Sequence, residues 1–283
     1  MDLHDRTVFI TGSTAGVGAS AARRLAARGA RVLLHGRDEK RGEALLTDIA
    51  AAGGAAELIS TDLSSLAAVR DLAEAVRERA PALDALVLNA GLARAPRETT
   101  AEGYERTFAV NHLAHFLLAH LLLDTLRAAA ADREARIVVV ASNAHRRADL
   151  RLDRVADPAG YDGWRAYANS KLANVLFARE AARRWADHGV TVNALHPGVL
   201  ATRIWDRNRR PLWFIARLFK VFMESPDVGG AAVERLVAEP ALGSVTGQYF
   251  DVMERAEPSL PGHHERLQAE LWERSAGWVG LAD

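Results

Sequence analysis

Thr7-Val8-Phe9-Ile10-Thr11-Gly12-Ser13-Thr14-Ala15-Gly16-Val17-Gly18 is the stretch on which the fold turns. Four residues of apolar character end at Thr11-Gly12, and residues 17–28 carry apolar side chains at helical spacing before Gly29, a residue suited to ending a helix. Strand, glycine-rich turn and helix in that order make the first half of a βαβ unit. Glycines let a backbone come close to a pyrophosphate, and a helix start points free N–H groups at it. The spacing is G-x-x-x-G-x-G rather than the commoner dinucleotide pattern G-x-G-x-x-G. A glycine cluster alone can be a plain tight turn. Its place between a strand and a helix favours nucleotide binding.

Working outward, residues 31–35 read as a second strand that ends at Gly36-Arg37-Asp38. An acidic side chain there would bind the ribose hydroxyls of NAD, whereas an arginine suits a 2′-phosphate. Gly36 stands at the acidic position and Arg37 follows it, although Arg37 could be simply solvated and Asp38 a helix cap. A helix over 39–52 ends at Gly53-Gly54. Residues 57–60 lead to Asp62, at a strand end where it could meet an adenine or cap the next helix. A helix over 65–79 precedes a strand, 85–88, that stops at Asn89-Ala90-Gly91. The amphipathic segment 104–130 carries Asn111 in its interior, where asparagine is mildly unfavourable, so it is either exposed or has a task. His112, His115 and His120 share that segment without a carboxylate or cysteine pattern, and read as packing or surface residues, not a metal site.

Ile137-Val138-Val139-Val140 has the β-branched, uninterrupted character of a central parallel strand. Ser142 at its end projects to the same sheet edge as Gly12, Arg37, Asp62 and Asn89, the edge where open α/β sheets bind ligands. A polar loop over 143–162 precedes a helix over 164–188, in which Tyr167 and Lys171 lie four apart and so share one face. Read from charge alone, the ammonium should favour the phenolate and draw the tyrosine toward neutral pH, where a general acid or base works best. Of 36 lysine and arginine side chains only three are lysine, at 40, 171 and 220. The compact titratable head is thus used sparingly. A further strand, 190–195, ends at His196-Pro197-Gly198.

Residues 205–222 collect Trp205, Trp213, Phe214, Phe219 and Phe222 among Arg207, Arg209, Arg210, Arg217 and Lys220. Such a stretch serves as core, as a flap over a hydrophobic substrate, or as a peripheral membrane contact. Helices over 228–238 and 265–275 flank a last strand, 248–252. The chain has 283 residues, 49% apolar and 25% charged, with zero net charge and no cysteine. That composition fits a globular protein and offers no general field for nucleic acid. It excludes disulfides and thiol catalysis and fits a cytoplasmic location. No apolar run approaches the ~20 residues of a membrane span. One doubly wound α/β domain over 1–283, with about seven parallel strands and helices on both faces, is expected.

Thr11-Gly12-x-x-x-Gly16-x-Gly18, Asn89-Ala90-Gly91, Asn111, Ser142, Tyr167-x-x-x-Lys171 and Pro197-Gly198, in this order, resemble the short-chain dehydrogenase/reductase family over residues 7–280. Val110-Asn111-His112-Leu113-Ala114-His115-Phe116, residues 170–177, His196-Pro197-Gly198-Val199 and Gly247-Gln248-Tyr249-Phe250 are most similar to its retinol dehydrogenase and WW-domain oxidoreductase branch. Leu88 replaces the family's usual first asparagine, and Ser142 and Tyr167 are separated by a long loop. The resemblance implies a Rossmann fold and an NADP(H)-dependent oxidoreductase that moves a hydride between nicotinamide and the carbonyl or alcohol of a fairly bulky apolar substrate. Tyr167 would be the general acid/base. Ser142 would bond the carbonyl oxygen, Lys171 would orient the ribose and lower the tyrosine pKa, and Asn111 would hold a water. The cofactor would lie against Gly12, Ser13, Thr14, Gly16, Val17, Gly18, Arg37, Asp62, Leu63, Asn89, Ala90, Gly91, Tyr167, Lys171, Pro197, Gly198 and Thr202. Residues 200–225 would form the substrate lid, and a homodimer is compatible with the family. The other class of function is a non-catalytic NADP-binding regulator on the same fold, which would carry a broken catalytic set. Here the set is intact.

Overall fold

In the computed structural model, residues 3–94, 96–153, 160–198 and 225–281 are described. The strand β1 (Thr7–Ile10) comes first, and α1 (Gly16–Ala27) and β2 (Arg31–Gly36) follow as the glycine-rich stretch requires. Next come α2 (Glu39–Ala51), β3 (Ala55–Ser60), α3 (Leu66–Arg79) and β4 (Ala85–Leu88). Asp38 caps α2 by accepting from Arg41 N, and Ser65 caps α3 by accepting from Ala68 N.

The long segment after β4 is not one straight helix. It forms α4 (Arg106–Leu121) and α5 (Leu123–Ala130), bent by 51°. Around the break, side chains enter the backbone ladder: His120 Nδ1 bonds Phe116 O at 2.7 Å and Thr125 Oγ1 bonds Leu122 O at 2.7 Å. Within α4, Ala109–Leu113 winds as a π turn with Asn111 at its centre, a distortion that recurs at functional positions. After β5 (Ala135–Val140) come α6 (Gly163–Arg184), β6 (Val190–His196), α7 (Pro226–Ala238), β7 (Tyr249–Asp251), β8 (Glu254–Ala256) and α8 (Glu265–Val279).

The strands form one sheet in the order β3-β2-β1-β4-β5-β6-β7-β8. The seven parallel strands read from the sequence are present, and β8 adds a short antiparallel edge to β7. Chain order reverses between β1 and β4, so a crevice opens at the carboxyl ends of these two strands. Alternation along β1 sends Val8 and Ile10 to one face and Phe9 to the other. The first face packs on α1, α2 and α7, and the second on α3 to α6 and α8.

On the second face Trp272 of α8 stacks on Phe177 of α6 (5.9 Å, 21°) and meets Trp185 edge-on at 5.5 Å. Aromatic pairs of this kind contribute about 0.5–1.5 kcal/mol each beyond area burial. They fasten the closing helix onto the helix that carries Tyr167 and Lys171. No single helix among the described residues is long and apolar enough to cross a membrane.

Candidate active site

The glycine loop is shaped by close contacts from two sides. Gly12 has φ +64°, and a Cβ there would fall 2.7 Å from Ala90 Cα, so only glycine fits. Thr11 Oγ1 accepts the N–H groups of Asn89 and Ala90, and Asn89 Nδ2 donates to the carbonyls of Thr11 and Gly12. The loops after β1 and β4 thus form one bonded unit. The start of α1 has no side-chain cap and no acidic residue in its first turn. Its leading N–H groups remain available, with the dipole favouring an anion. Gly16 has open space where a Cβ would stand. These features fit the pyrophosphate of a dinucleotide.

Not every residue of the expected cradle offers its side chain. Ser13 is fully buried, and its Oγ is engaged with the backbone of His35. Leu63 is part of the core. Both can present only backbone to a ligand. Thr14 lies against Gly36, where a Cβ would come within 2.4 Å of Thr14 Cγ2 and 2.7 Å of its Oγ1. The end of β2 therefore has no room for an acidic side chain while Thr14 keeps its methyl and hydroxyl. Arg37 is exposed, and its Nη1 stands 3.4 Å from Asp62 Oδ2, with Arg106 Nη2 at 3.5 Å from the same oxygen. Burial raises the Asp62 carboxyl, but the Ser64 N–H and the Arg37 guanidinium outweigh it and hold the group below its ordinary value.

The catalytic candidates converge beside this loop. Ser142 stands two residues past β5 and caps the short turn Asn143–Arg147, with its Oγ accepting from Ala144 N at 3.2 Å. Its carbonyl is held by His145 Nδ1 at 2.7 Å, and His145 Nε2 accepts from Ser259 N. Tyr167 is half-buried on α6 and hydrogen-bonds Ser142. Lys171 is buried, donates from Nζ to Val140 O at 2.9 Å, and has Nζ 5.8 Å from the Tyr167 ring centre. A Cβ on Gly91 would lie 3.5 Å from both Lys171 Nζ and Asn111 Oδ1, so the Asn89-Ala90-Gly91 turn runs past these two groups.

Two expectations from the sequence change. Burial pushes the Tyr167 phenol above its ordinary value, and only the Ser142 hydrogen bond works against it. Lys171 does not draw it down, because at this distance the desolvation of the phenol decides the direction. Burial likewise brings the Lys171 ammonium down to about 8. The Asn111 amide is committed to protein: Oδ1 accepts from Leu92 N, and Nδ2 donates to Leu92 O and Ser170 Oγ. It fastens the turn after β4 to α6, one residue before Lys171.

Of the α4 histidines, His112 and His115 take the packing role and His120 is half-buried. His112 and His115 are fully enclosed, and burial takes both down to about 3. His115 joins Asn111 O, at 3.1 Å from Nδ1, to Thr11 Oγ1, at 3.0 Å from Nε2. This link between the π turn and the glycine loop was not legible from spacing. Pro197 and Gly198 close β6 beside α7, where the Cβ of a residue replacing Gly229 would meet Pro197 O at 2.8 Å. Of the expected lid over 200–225, residues 200–224, Thr202 among them, lie outside the described residues, and Ser225 caps α7.

The chain matches the family model for short chain dehydrogenases over residues 6–212. It is 36% identical to human (Homo sapiens) retinol dehydrogenase 14 over 298 residues, covering 99% of this chain and 88% of that one. It is 38% identical over 280 residues to a candidate daunorubicin C-13 ketoreductase, DnrU, of Streptomyces sp. (strain C5), covering 98% and 94%. Among solved structures, the Pseudomonas aeruginosa RhlG/NADP active-site complex superposes with a TM-score of 0.72 at 27% identity, covering 89% of this chain and 96% of that one.

Proposed function

Because the chain belongs to the short-chain dehydrogenase family, we propose that it is an NADP(H)-dependent oxidoreductase acting on the carbonyl or alcohol of a fairly bulky apolar substrate. The observation that carries this reading is the convergence of Ser142, Tyr167 and Lys171 at the end of β5, beside the turn formed by Asn89 to Gly91. Bound nicotinamide would supply the hydride chemistry. In reduction, the Tyr167 hydroxyl gives its proton to the substrate oxygen, and the Ser142 hydroxyl bonds that oxygen as charge develops on it. The Lys171 ammonium supports the phenolate left behind. In oxidation each transfer runs backward, with the Tyr167 phenolate accepting the alcohol proton.

The pH dependence follows from these states. A raised Tyr167 pKa keeps the phenol protonated at neutrality, which serves reduction, whereas oxidation needs the phenolate. The kcat/KM for alcohol oxidation should therefore climb with pH beyond neutrality. Reduction should be level through neutrality and fall above about 8, as Lys171 loses its charge. Paired pH profiles on one alcohol–carbonyl couple test this. An oxidation limb already complete below neutrality is incompatible with it.

For the substrate, support comes from the aromatic sequence of residues 205–222 and from the names of two relatives, one a retinol dehydrogenase and the other a daunorubicin C-13 ketoreductase. Fully burying one such side chain is worth roughly 1.5–3 kcal/mol. Replacing Trp213 or Phe214 by Ala should raise KM for bulky carbonyl substrates much more than for small ones. Equal effects on both would count against a substrate lid, and co-sedimentation with lipid vesicles separates a core role from membrane contact. A cytoplasmic location is part of the same proposal.

A further inference from the structure

At the end of β2 stands a histidine that the reaction does not use. His35 is 2% exposed, and its ring meets Phe9 edge-on with centres 6.4 Å apart. Its Nδ1 accepts the N–H of Gly12 at 3.1 Å, so Nδ1 carries no proton. The proton is then on Nε2, which stands 3.1 Å from Thr61 O and donates to it. Its backbone exchanges bonds with Ser13, with Ser13 N donating to His35 O at 2.8 Å and His35 N donating to Ser13 Oγ at 2.9 Å. One neutral tautomer thus spans two parts of the cradle. Gly12 begins the pyrophosphate loop, and Thr61 immediately precedes Asp62 at the adenine side.

We propose that His35 is a positioning residue for the dinucleotide, a fixed spacer that sets the distance between the glycine loop and the Thr61-Asp62 turn. The Gly12 peptide is gripped on both sides, its N–H by His35 and its carbonyl by Asn89 Nδ2 at 3.0 Å. Without the His35 acceptor, the N–H of a glycine at φ +64° would be left unpaired in a part-buried site, and the peptide would turn to find another partner. The Thr61 carbonyl would lose its restraint in the same step. The groups that face the ring electrostatically are Arg37, Asp62 and His115, of which Arg37 and Asp62 belong to the cofactor cradle itself. Burial lowers His35 to about 4, so the tautomer persists throughout the working pH range.

The proposal rests on the chain binding NAD(P), and not on which of the two it prefers. Three variants separate its two bonds. His35→Asn places an amide oxygen near the Nδ1 position and can keep the Gly12 bond. His35→Gln places an amide nitrogen near the Nε2 position and can keep the Thr61 bond, and His35→Leu keeps neither. Calorimetric titration with NADPH and with NADH, alongside steady-state rates, is the experiment. His35→Leu should raise Kd for both probes about tenfold or more, the loss expected for two part-buried hydrogen bonds. Its kcat at saturating NADPH should stay within about twofold, because a spacer in the cofactor cradle leaves the proton-transfer groups in place. Asn and Gln should each recover part of the affinity. Parent-like binding by His35→Leu, or no recovery with either amide, would overturn the spacer role. A proportional fall of kcat and melting temperature in all three variants would do the same, by showing a general structural part. If the parent chain bound neither NADPH nor NADH, the cofactor reading itself would fall, and the spacer role with it.

Discussion

Tyr167→Phe should fold and bind NADPH like the parent while losing a factor of ~10²–10⁴ in kcat, the usual contribution of a placed proton-transfer group. The change removes one oxygen. The half-buried ring, tilted against Trp164 at 6.2 Å and near Lys171 Nζ at 5.8 Å, keeps its packing. Ser142 loses a partner but still caps its turn through Ala144 N. The expected signature is therefore a loss of kcat without a matching change in cofactor Kd or melting temperature. A folded variant that kept more than about a tenth of the parent rate would remove Tyr167 from the role, since general acid–base catalysis is worth more than that.

The second large effect concerns the cofactor. Among the described residues Arg37 is held by an exposed contact to Asp62 at 3.4 Å, which leaves planar donors for a 2′-phosphate. Arg41 is less free than its place one turn later suggests, because its Nε pairs with Asp38 at 3.1 Å. Hydrogen bonds to a charged partner contribute roughly 1.5–3 kcal/mol. That corresponds to ~10–100-fold preference for NADPH over NADH in kcat/KM. Arg37→Ala should erase most of it. Inverting it calls for a carboxylate at position 36, and the structure shows why Gly36→Asp alone would fail: its Cβ would sit 2.4 Å from Thr14 Cγ2. Truncating Thr14 to Ala leaves the nearest approach at 3.1 Å, to Thr14 Cβ. The combined change Thr14→Ala, Gly36→Asp and Arg37→Ala should favour NADH. Equal use of NADH and NADPH by the parent chain would show Arg37 to be a solvated side chain.

Much of this was legible because local rules and the fold agree. The apolar run of β1, the glycines after it and the spacing of α1 each point to the same βαβ unit, and β5 reads as central from Ile137 to Val140 alone. The bend between α4 and α5 was not legible, since it comes from side chains bonding carbonyls within a pattern that stays apolar throughout. β8 is the short segment Glu254-Arg255-Ala256, placed by its pairing with β7.

Motif spacing singled out Ser142, Asn111, Tyr167 and Lys171, which the fold brings near one another. It could not say what their surroundings do to them. The direction of the Tyr167 shift depends on burial against one charge, a balance that sequence does not display. His35 and His115 were passed over for a related reason: a histidine that ends a strand or sits on a helix looks ordinary until its two ring nitrogens are seen to bridge separate loops. The available signal was weak, a lone polar ring closing the otherwise apolar Val32-Leu33-Leu34 run.

NADPH deuterated at C4, offered with a panel of aliphatic aldehydes, aromatic ketones, quinones and retinal, tests the proposed function most directly. Mass spectrometry of the products reads where the label goes. With a bulky carbonyl substrate, the deuterium should appear on the new carbinol carbon at a rate that Tyr167→Phe abolishes. Tight NADPH binding with no label transferred to any carbonyl in the panel would contradict it, and would favour a non-catalytic nucleotide-binding role on the same fold.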